Sequence, residues 1–380
     1  MRPVMKIAAV AALGSLALAG CGSKPSSGSS GSSGSAGASG SSSTSSSAAS
    51  GGASGAAAGA KLKACMVLDT GGVDDRSFNQ SSWAGMQAAN KTNPNISIKY
   101  VPSNSSSDYI PNLTKLAGQN CDPVIAVGGL MESAVKSTAA KYPKTHFAEI
   151  DDASQGSNDY GIQFNTAQAA FLAGYAAAGM TKSGTVGTWG GLPISPVTIY
   201  MDGFTEGVTY YNTQKHKSVK VLGWNEKTQK GTFSSSFTDQ GKGKSITQQM
   251  ESQGADIVFP VAGGAGLGAG AAAQASNGKL NLIWVDTDGC ESAAQYCKYI
   301  LTSATKNLSQ GVQTYLKQAS DGTFPTGNYI GTLKNNGVGL APFHQFASKV
   351  PGALKSELAQ VKTEIMSGKI KITSPNQPKS

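Results

Sequence analysis

Residues 64–91 read ACMVLDTGGVDDRSFNQSSWAGMQAANK. Ala64 to Leu68 is an unbroken apolar run of strand length, Asp69-Thr-Gly-Gly72 is a turn rich in chain-reversing residues, and Asn79 to Lys91 carries the small apolar spacing of a helix. That is one half of a strand–helix–strand unit, and it recurs. Further strands are predicted at 96–101, 124–127, 146–150, 185–188, 219–224, 256–261 and 280–285. Helices are predicted at 110–117, 131–141, 167–181, 199–211, 242–253, 268–277 and 308–319. Strict alternation of short apolar strands with helices argues for parallel sheets covered on both faces, so the fold class is α/β. Some eight units over roughly 320 residues exceed one comfortable sheet, and two α/β domains are expected.

Upstream of this region the chain changes character. Arg2 and Lys6 precede an apolar run from Ile7 to Ala19 that is too short to span a bilayer, and the run ends in Leu18-Ala19-Gly20-Cys21. Residues 1–20 read as an export signal. Its end resembles the lipobox at which Cys21 becomes a diacylated N-terminus, an anchor to the extracytoplasmic face of the cell membrane. Residues 21–60 form a tether: after Cys21 every position except Lys24, Pro25 and Thr44 is Ser, Gly or Ala, with nothing to bury against chain entropy.

The formal net charge of +9 could suggest nucleic acid, but arginine occurs only at Arg2 and Arg76 and the lysines are scattered. Nucleic-acid readers concentrate both on one element, so no nucleic-acid partner is expected. Beyond Cys21 the cysteines are Cys65, Cys121, Cys290 and Cys297, an even number in an exported chain. Four allow three pairings. Cys290 and Cys297 bracket a short loop, while Cys65 opens one apolar strand and Cys121 immediately precedes another, so that in a parallel sheet their strand starts share an edge, and these two bridges are favoured over free thiols. No zinc-type spacing exists and His146, His216 and His344 lie far apart, so no metal is expected.

Ligands of open parallel sheets bind beyond the carboxyl ends of the strands. Here those ends carry Asp69, Gly128, Asp151, Gly190, Gly263 and Asp286. Ionised carboxylates accept but do not donate, which suits a sugar diol; helix capping is the competing reading of each aspartate. Phe78 and Phe237 stand in polar surroundings, where a pair of rings could sandwich a planar base, and Asn79 offers donor and acceptor to its edge or else caps the helix. Paired carboxylates could also serve a glycosidase. Gly266, Gly268 and Ala271 fit a loose dinucleotide pattern, but not at the first unit of the fold. No phosphate loop, nucleophile elbow or zinc-protease motif occurs, and no cofactor is expected.

The segments Asp69-Thr-Gly-Gly-Val-Asp-Asp-Arg-Ser-Phe-Asn-Gln80, Gly203-Phe-Thr-Glu-Gly207, Ser236-Phe-Thr-Asp-Gln-Gly-Lys-Gly-Lys244 and Ala262-Gly-Gly-Ala-Gly-Leu-Gly268 together resemble the basic membrane protein family of the PnrA-like kind. The likeness runs in order from Lys61 to about Ala319. It implies a type I periplasmic-binding fold, two Rossmann-like lobes with three hinge crossovers, in a non-enzymatic, monomeric substrate-binding lipoprotein of an ABC importer. The lobes are expected at 61–162 plus 288–325 and at 163–287 plus 326–372. A nucleoside, purine by preference, would pass to the permease and its ATPase. By motif, Asp69 and Asn79 would bond the base, Phe78 and Phe237 would stack on it, and Asp151, Gly263, Asp286 and Lys306 would hold the ribose. Tyr200 stands where the family pattern leads one to expect Phe.

Overall fold

The computed structural model describes residues 61–378; the export signal, Cys21 and the tether lie outside them. Along the chain, β1 (Leu62–Leu68), α1 (Phe78–Thr92), β2 (Ile96–Pro102), α2 (Tyr109–Gly118), β3 (Val124–Val127), α3 (Glu132–Lys141), β4 (Phe147–Ile150) and β5 (Asp159–Phe164) build the first lobe. The second lobe follows with α4 (Ala167–Met180), β6 (Thr185–Gly190), α5 (Ser195–Lys215), β7 (Lys220–Leu222), the small hairpin β8 (Trp224–Asn225) and β9 (Lys230–Gly231), and α6 (Gln240–Ser252). It continues through β10 (Ile257–Val261), α7 (Gly266–Ala275), β11 (Asn281–Asp286), α8 (Gly289–Ser292) and β12 (Ile300–Lys306). The chain then returns with α9 (Leu308–Ser320) and β13 (Gly327–Gly331), and crosses back for β14 (Val338–Leu340) and α10 (Gly352–Met366).

Two six-stranded sheets result, ordered β13-β5-β4-β3-β1-β2 and β14-β12-β11-β10-β6-β7. All pairings within them are parallel except β14 against β12. β1 shows why its sequence is apolar throughout. Ala64, Met66 and Leu68 pack in the core that includes Met86 of α1 and Val312 of α9, whereas Cys65 and Val67 face Leu113 and Leu116 of α2 and Val135 of α3. A strand covered on both faces has no solvent side on which to place polar residues.

The expected lobe boundaries need correction. β12 pairs with β11, so the segment from 288 through Lys306 stays with the second sheet, and only from Leu308 does the chain rejoin the first lobe, where α9 packs on α1. β13 pairs with β5 and belongs to the first sheet rather than the second lobe. Crossovers lie after β5, after β12 and between β13 and β14. The cause is pairing between strands far apart in sequence, which polar stretches such as Thr302-Ser303 and Gly327-Asn328 do not advertise.

Close helix packing explains two glycine motifs. A Cβ on Gly203 would lie 2.3 Å from the Ala167 carbonyl oxygen and one on Gly207 2.0 Å from that of Phe171, so bare backbone is what lets α5 lie against α4. Gly268 does the same for α7 against α6, with the Gln240 carbonyl 2.0 Å from its absent Cβ. Helix contact, rather than a dinucleotide phosphate, accounts for that glycine. Cys65 is bonded to Cys121 and Cys290 to Cys297.

Candidate functional site

The carboxyl ends of both sheets face one cleft between the lobes, with about 540 Å³ of empty space including its mouth. Asp69, Phe78, Asn79, Asp151, Phe237, Gly263, Asp286 and Lys306 all line it. The structure thus brings together all eight candidate residues, although they are spread over more than 230 positions of the chain.

At one end the loop between β1 and α1 is tied into a tight knot. The Asp75 carboxylate accepts the backbone N–H groups of Ser77 (3.0 Å), Asn79 (2.8 Å) and Gln80 (3.1 Å), capping α1 from two residues before the helix's own cap position. The capping role considered for Asn79 therefore belongs to Asp75. Asn79 is free to reach sideways, and its Nδ2 donates to Asp69 Oδ1 at 2.7 Å and to Asp75 Oδ2 at 3.3 Å. Asp69 Oδ1 also accepts from Gly71 N at 2.9 Å. Burial pushes the Asp75 carboxyl up to about 7, against the pull of its backbone donors. Asp69 is likewise raised by burial, opposed by its bonds from Asn79 and Gly71.

At the other end sit Asp151, directly after β4, and Asp286, the last residue of β11, each with left-handed backbone, φ 72° and 63°. Non-glycine residues adopt that conformation uncommonly, and both of these aspartates line the cleft. Neither caps a helix. Lys306 at the end of β12 is 3% exposed and donates to Asp151 Oδ2 at 2.6 Å, with Asp286 Oδ1 3.6 Å away. Burial pulls the Lys306 pKa down, but Asp151 and Asp286 outweigh it and hold the ammonium charged. Burial raises Asp151, with Lys306 opposing. Asp286 also accepts from Tyr200 Oη (2.8 Å) and Ser77 Oγ (2.7 Å). Burial and the adjacent Asp286 push the Tyr200 phenol well above its ordinary range, so it stays a donor.

Two aromatic rings come from opposite lobes. Phe78 begins α1, and Lys306 Nζ lies 4.6 Å from its ring centre. Phe237 lies in the loop before α6; its carbonyl accepts from Ala265 N, and its ring sits where a Cβ on Gly191 would be 2.3 Å away. Gly263, at φ 51°, brings bare backbone to the cleft wall. Ile194, Pro196 and Val197 at the start of α5 supply apolar lining.

The sequence reading singled out neither Asp75, which lines the cleft, nor Ser77, which is buried behind it and bonds Asp286, although both fall within the quoted 69–80 segment. A signal for Asp75 was present, an acid shortly before a helix start; Ser77 acts on a residue 209 positions away, and no local pattern shows that. Elsewhere Asp288, Cys290 and His344 place one ligand atom each within 4.8 Å of one another, but the Cys290 sulfur is bonded to Cys297. What is left there is a carboxylate–imidazole pair at 2.6 Å.

A protein of two parallel α/β lobes, joined by three crossovers and lined between them by aromatic and hydrogen-bonding groups, is a solute-binding protein in architecture. The family described as ABC transporter substrate-binding protein PnrA-like matches residues 62–375, and the chain belongs to it. It is similar to the ABC transporter nucleoside-binding protein BmpA of Lactococcus lactis subsp. cremoris, 31% identical over 82% of this chain and 89% of that protein. An uncharacterized lipoprotein of Pyrococcus abyssi is 30% identical over 80% of this chain and 77% of its own length. Among solved structures, an ABC transporter solute-binding protein of Aeropyrum pernix K1 superposes with a TM-score of 0.75 at 23% identity, covering 83% of this chain and 94% of that one, a likeness of fold. Among the described residues no helix is long and apolar enough to cross a membrane.

Proposed function

We propose that this protein is a lipid-anchored receptor that binds a nucleoside, by preference a purine nucleoside, between its lobes and hands it to the permease of an ABC importer. In this reading Phe78 and Phe237 stack on the base, Asp69 and Asn79 bond its edge, and Asp151, Asp286, Lys306 and the Gly263 backbone hold the ribose. The observation that carries it is the division of one cleft into an aromatic, amide-bearing end and a carboxylate–lysine end. A nucleoside has the same two halves. Of the four carboxylates lining the cleft, Asp151 and Asp286 share Lys306, and Asp69 and Asp75 have no lysine or arginine within ion-pair distance among the described residues, so a 5′-phosphate would meet repulsion and nucleotides are refused. The protein acts as a monomer, performs no chemistry on its ligand, and is held at the extracytoplasmic face of the membrane through Cys21.

The test is isothermal titration of the full-length protein in detergent, unfolded and refolded to remove carried ligand, against adenosine, guanosine, inosine, uridine, cytidine, ribose and AMP. Submicromolar binding of nucleosides, with ribose and AMP silent, is expected. No heat from any nucleoside with a correctly refolded protein would overturn the assignment. Conversion of a nucleoside to free base would instead mark an enzyme using the same aspartates.

A further inference from the structure

We infer that Asp75 sets the hydrogen-bonding sense of the base-edge end of the cleft, making it an acceptor–acceptor pair that selects adjacent N–H donors, as guanine presents, over the donor–acceptor edges of adenine and hypoxanthine. The inference rests on the nucleoside reading of this cleft and adds to it the choice among bases.

Asp75 Oδ1 accepts from the backbone of Ser77 and Gln80, and Oδ2 accepts from the backbone of Asn79 and from Asn79 Nδ2. Asp75 is 3% exposed, and its two oxygens receive four donors, so in its ionised form, held above about pH 7, it serves only as an acceptor. Asp69 Oδ1 accepts from Gly71 N and from Asn79 Nδ2. Both amide hydrogens of Asn79 are therefore spent on carboxylate oxygens. The opposite amide orientation would press Oδ1 against Asp69 and Asp75 at 2.7 and 3.3 Å with no hydrogen between, so the assignment of the two ends follows from the network.

What is left over defines the edge. Asn79 Oδ1 is buried, on a side chain 1% exposed, and has no donor among the described residues. Asp69 Oδ2 has no donor among the described residues either, and Gly128 keeps the space beside it open, since a Cβ there would lie 2.8 Å from that oxygen. Both residues line the cleft. Guanine offers N1–H and the exocyclic N2–H side by side. Adenine sets the N6 amine beside a bare N1, and hypoxanthine sets N1–H beside O6 and a C–H. A buried polar site rejects strongly a partner that leaves its groups unpaired or faces acceptor with acceptor.

Titration of the full-length protein with guanosine, inosine, adenosine and 1-methylguanosine tests this without any substitution. Guanosine is expected to bind at least tenfold tighter than each of the other three. Asp75→Asn places an amide donor where Asn79 Oδ1 can turn to meet it, and its expected signature is a change of at least tenfold in the guanosine-to-adenosine affinity ratio. Equal weakening of every nucleoside would make Asp75 a purely structural cap and overturn the inference, as would a wild-type preference for adenosine or indifference to the N1 methyl group. Those outcomes leave nucleoside binding standing; silence from all four ligands would remove the nucleoside reading itself.

Discussion

Glu149 on β4 is fully buried, and both its carboxylate oxygens lack a hydrogen-bond partner among the described residues. Burial, and after it the nearby Asp152, Asp159 and Glu132, push its carboxyl up to about 10 from an ordinary 4.5. A carboxyl whose pKa is higher in the fold than in the open chain holds its proton more tightly when folded. Its favourable contribution is full below 4.5 and is lost as pH rises towards 10. Glu149→Gln removes that penalty. The substituted protein should match the wild type in melting temperature near pH 4.5 and exceed it increasingly above, by up to about 1.4 kcal/mol per pH unit. Parallel melting curves from pH 5 to 9 would show that Glu149 has a partner when folded. The same accounting bears on the cleft. Asp69, Asp151 and Asp286 were visible in sequence because each follows an apolar run, but their sequence positions suit capping as well as binding. Geometry separates the two readings, since Asp75 does the capping of α1 while Asp286 is met by Tyr200 and Ser77.

At the scale of elements, the two disulfides differ in what they close. Cys65–Cys121 spans 56 positions and ties β1 to the entry of β3, whereas Cys290–Cys297 spans 7 beside α8. If the effect lies in the unfolded chain, the longer loop contributes about 2 kcal/mol more. Replacing Cys65 and Cys121 together by Ala should thus lower unfolding stability in urea by about 2 kcal/mol more than replacing Cys290 and Cys297, and equal losses would refute a loop-entropy origin. The elements themselves were largely legible, because a strand buried on both faces leaves an unbroken apolar run and the helices between show small-residue spacing. β5, β13 and β14 escaped, and so did α10. Asp159-Tyr-Gly-Ile-Gln-Phe164 and Gly327-Asn-Tyr-Ile-Gly331 are short, half polar and defined by pairing with each other. The predicted run 219–224 is broken by Gly223 at φ 85°, and its last residue turns into the β8–β9 hairpin.

At the scale of the whole molecule, the groups that would meet the ligand also join the lobes. Lys306 from the second sheet reaches Asp151 of the first at 2.6 Å, and Ser77 from the first reaches Asp286 of the second at 2.7 Å. The Arg76 carbonyl, on the same first-lobe loop, accepts from Trp284 Nε1 and Thr287 Oγ1, both at 3.2 Å. None of these bonds requires a ligand atom, so the closed arrangement is expected to be populated in part before the ligand arrives. A neutral hydroxyl bonded to a carboxylate contributes about 1.5–3 kcal/mol, which is roughly a ten- to hundredfold change in the open-to-closed ratio. Ser77→Ala removes that bond without altering a residue assigned to base or ribose. Ligand-free Ser77→Ala should therefore scatter X-rays as a more extended particle than the ligand-free wild type, and its ligand should leave faster with little change in association rate. Identical scattering together with an unchanged dissociation rate would show that Ser77 merely fills space against Asp286, and that closure waits for the ligand.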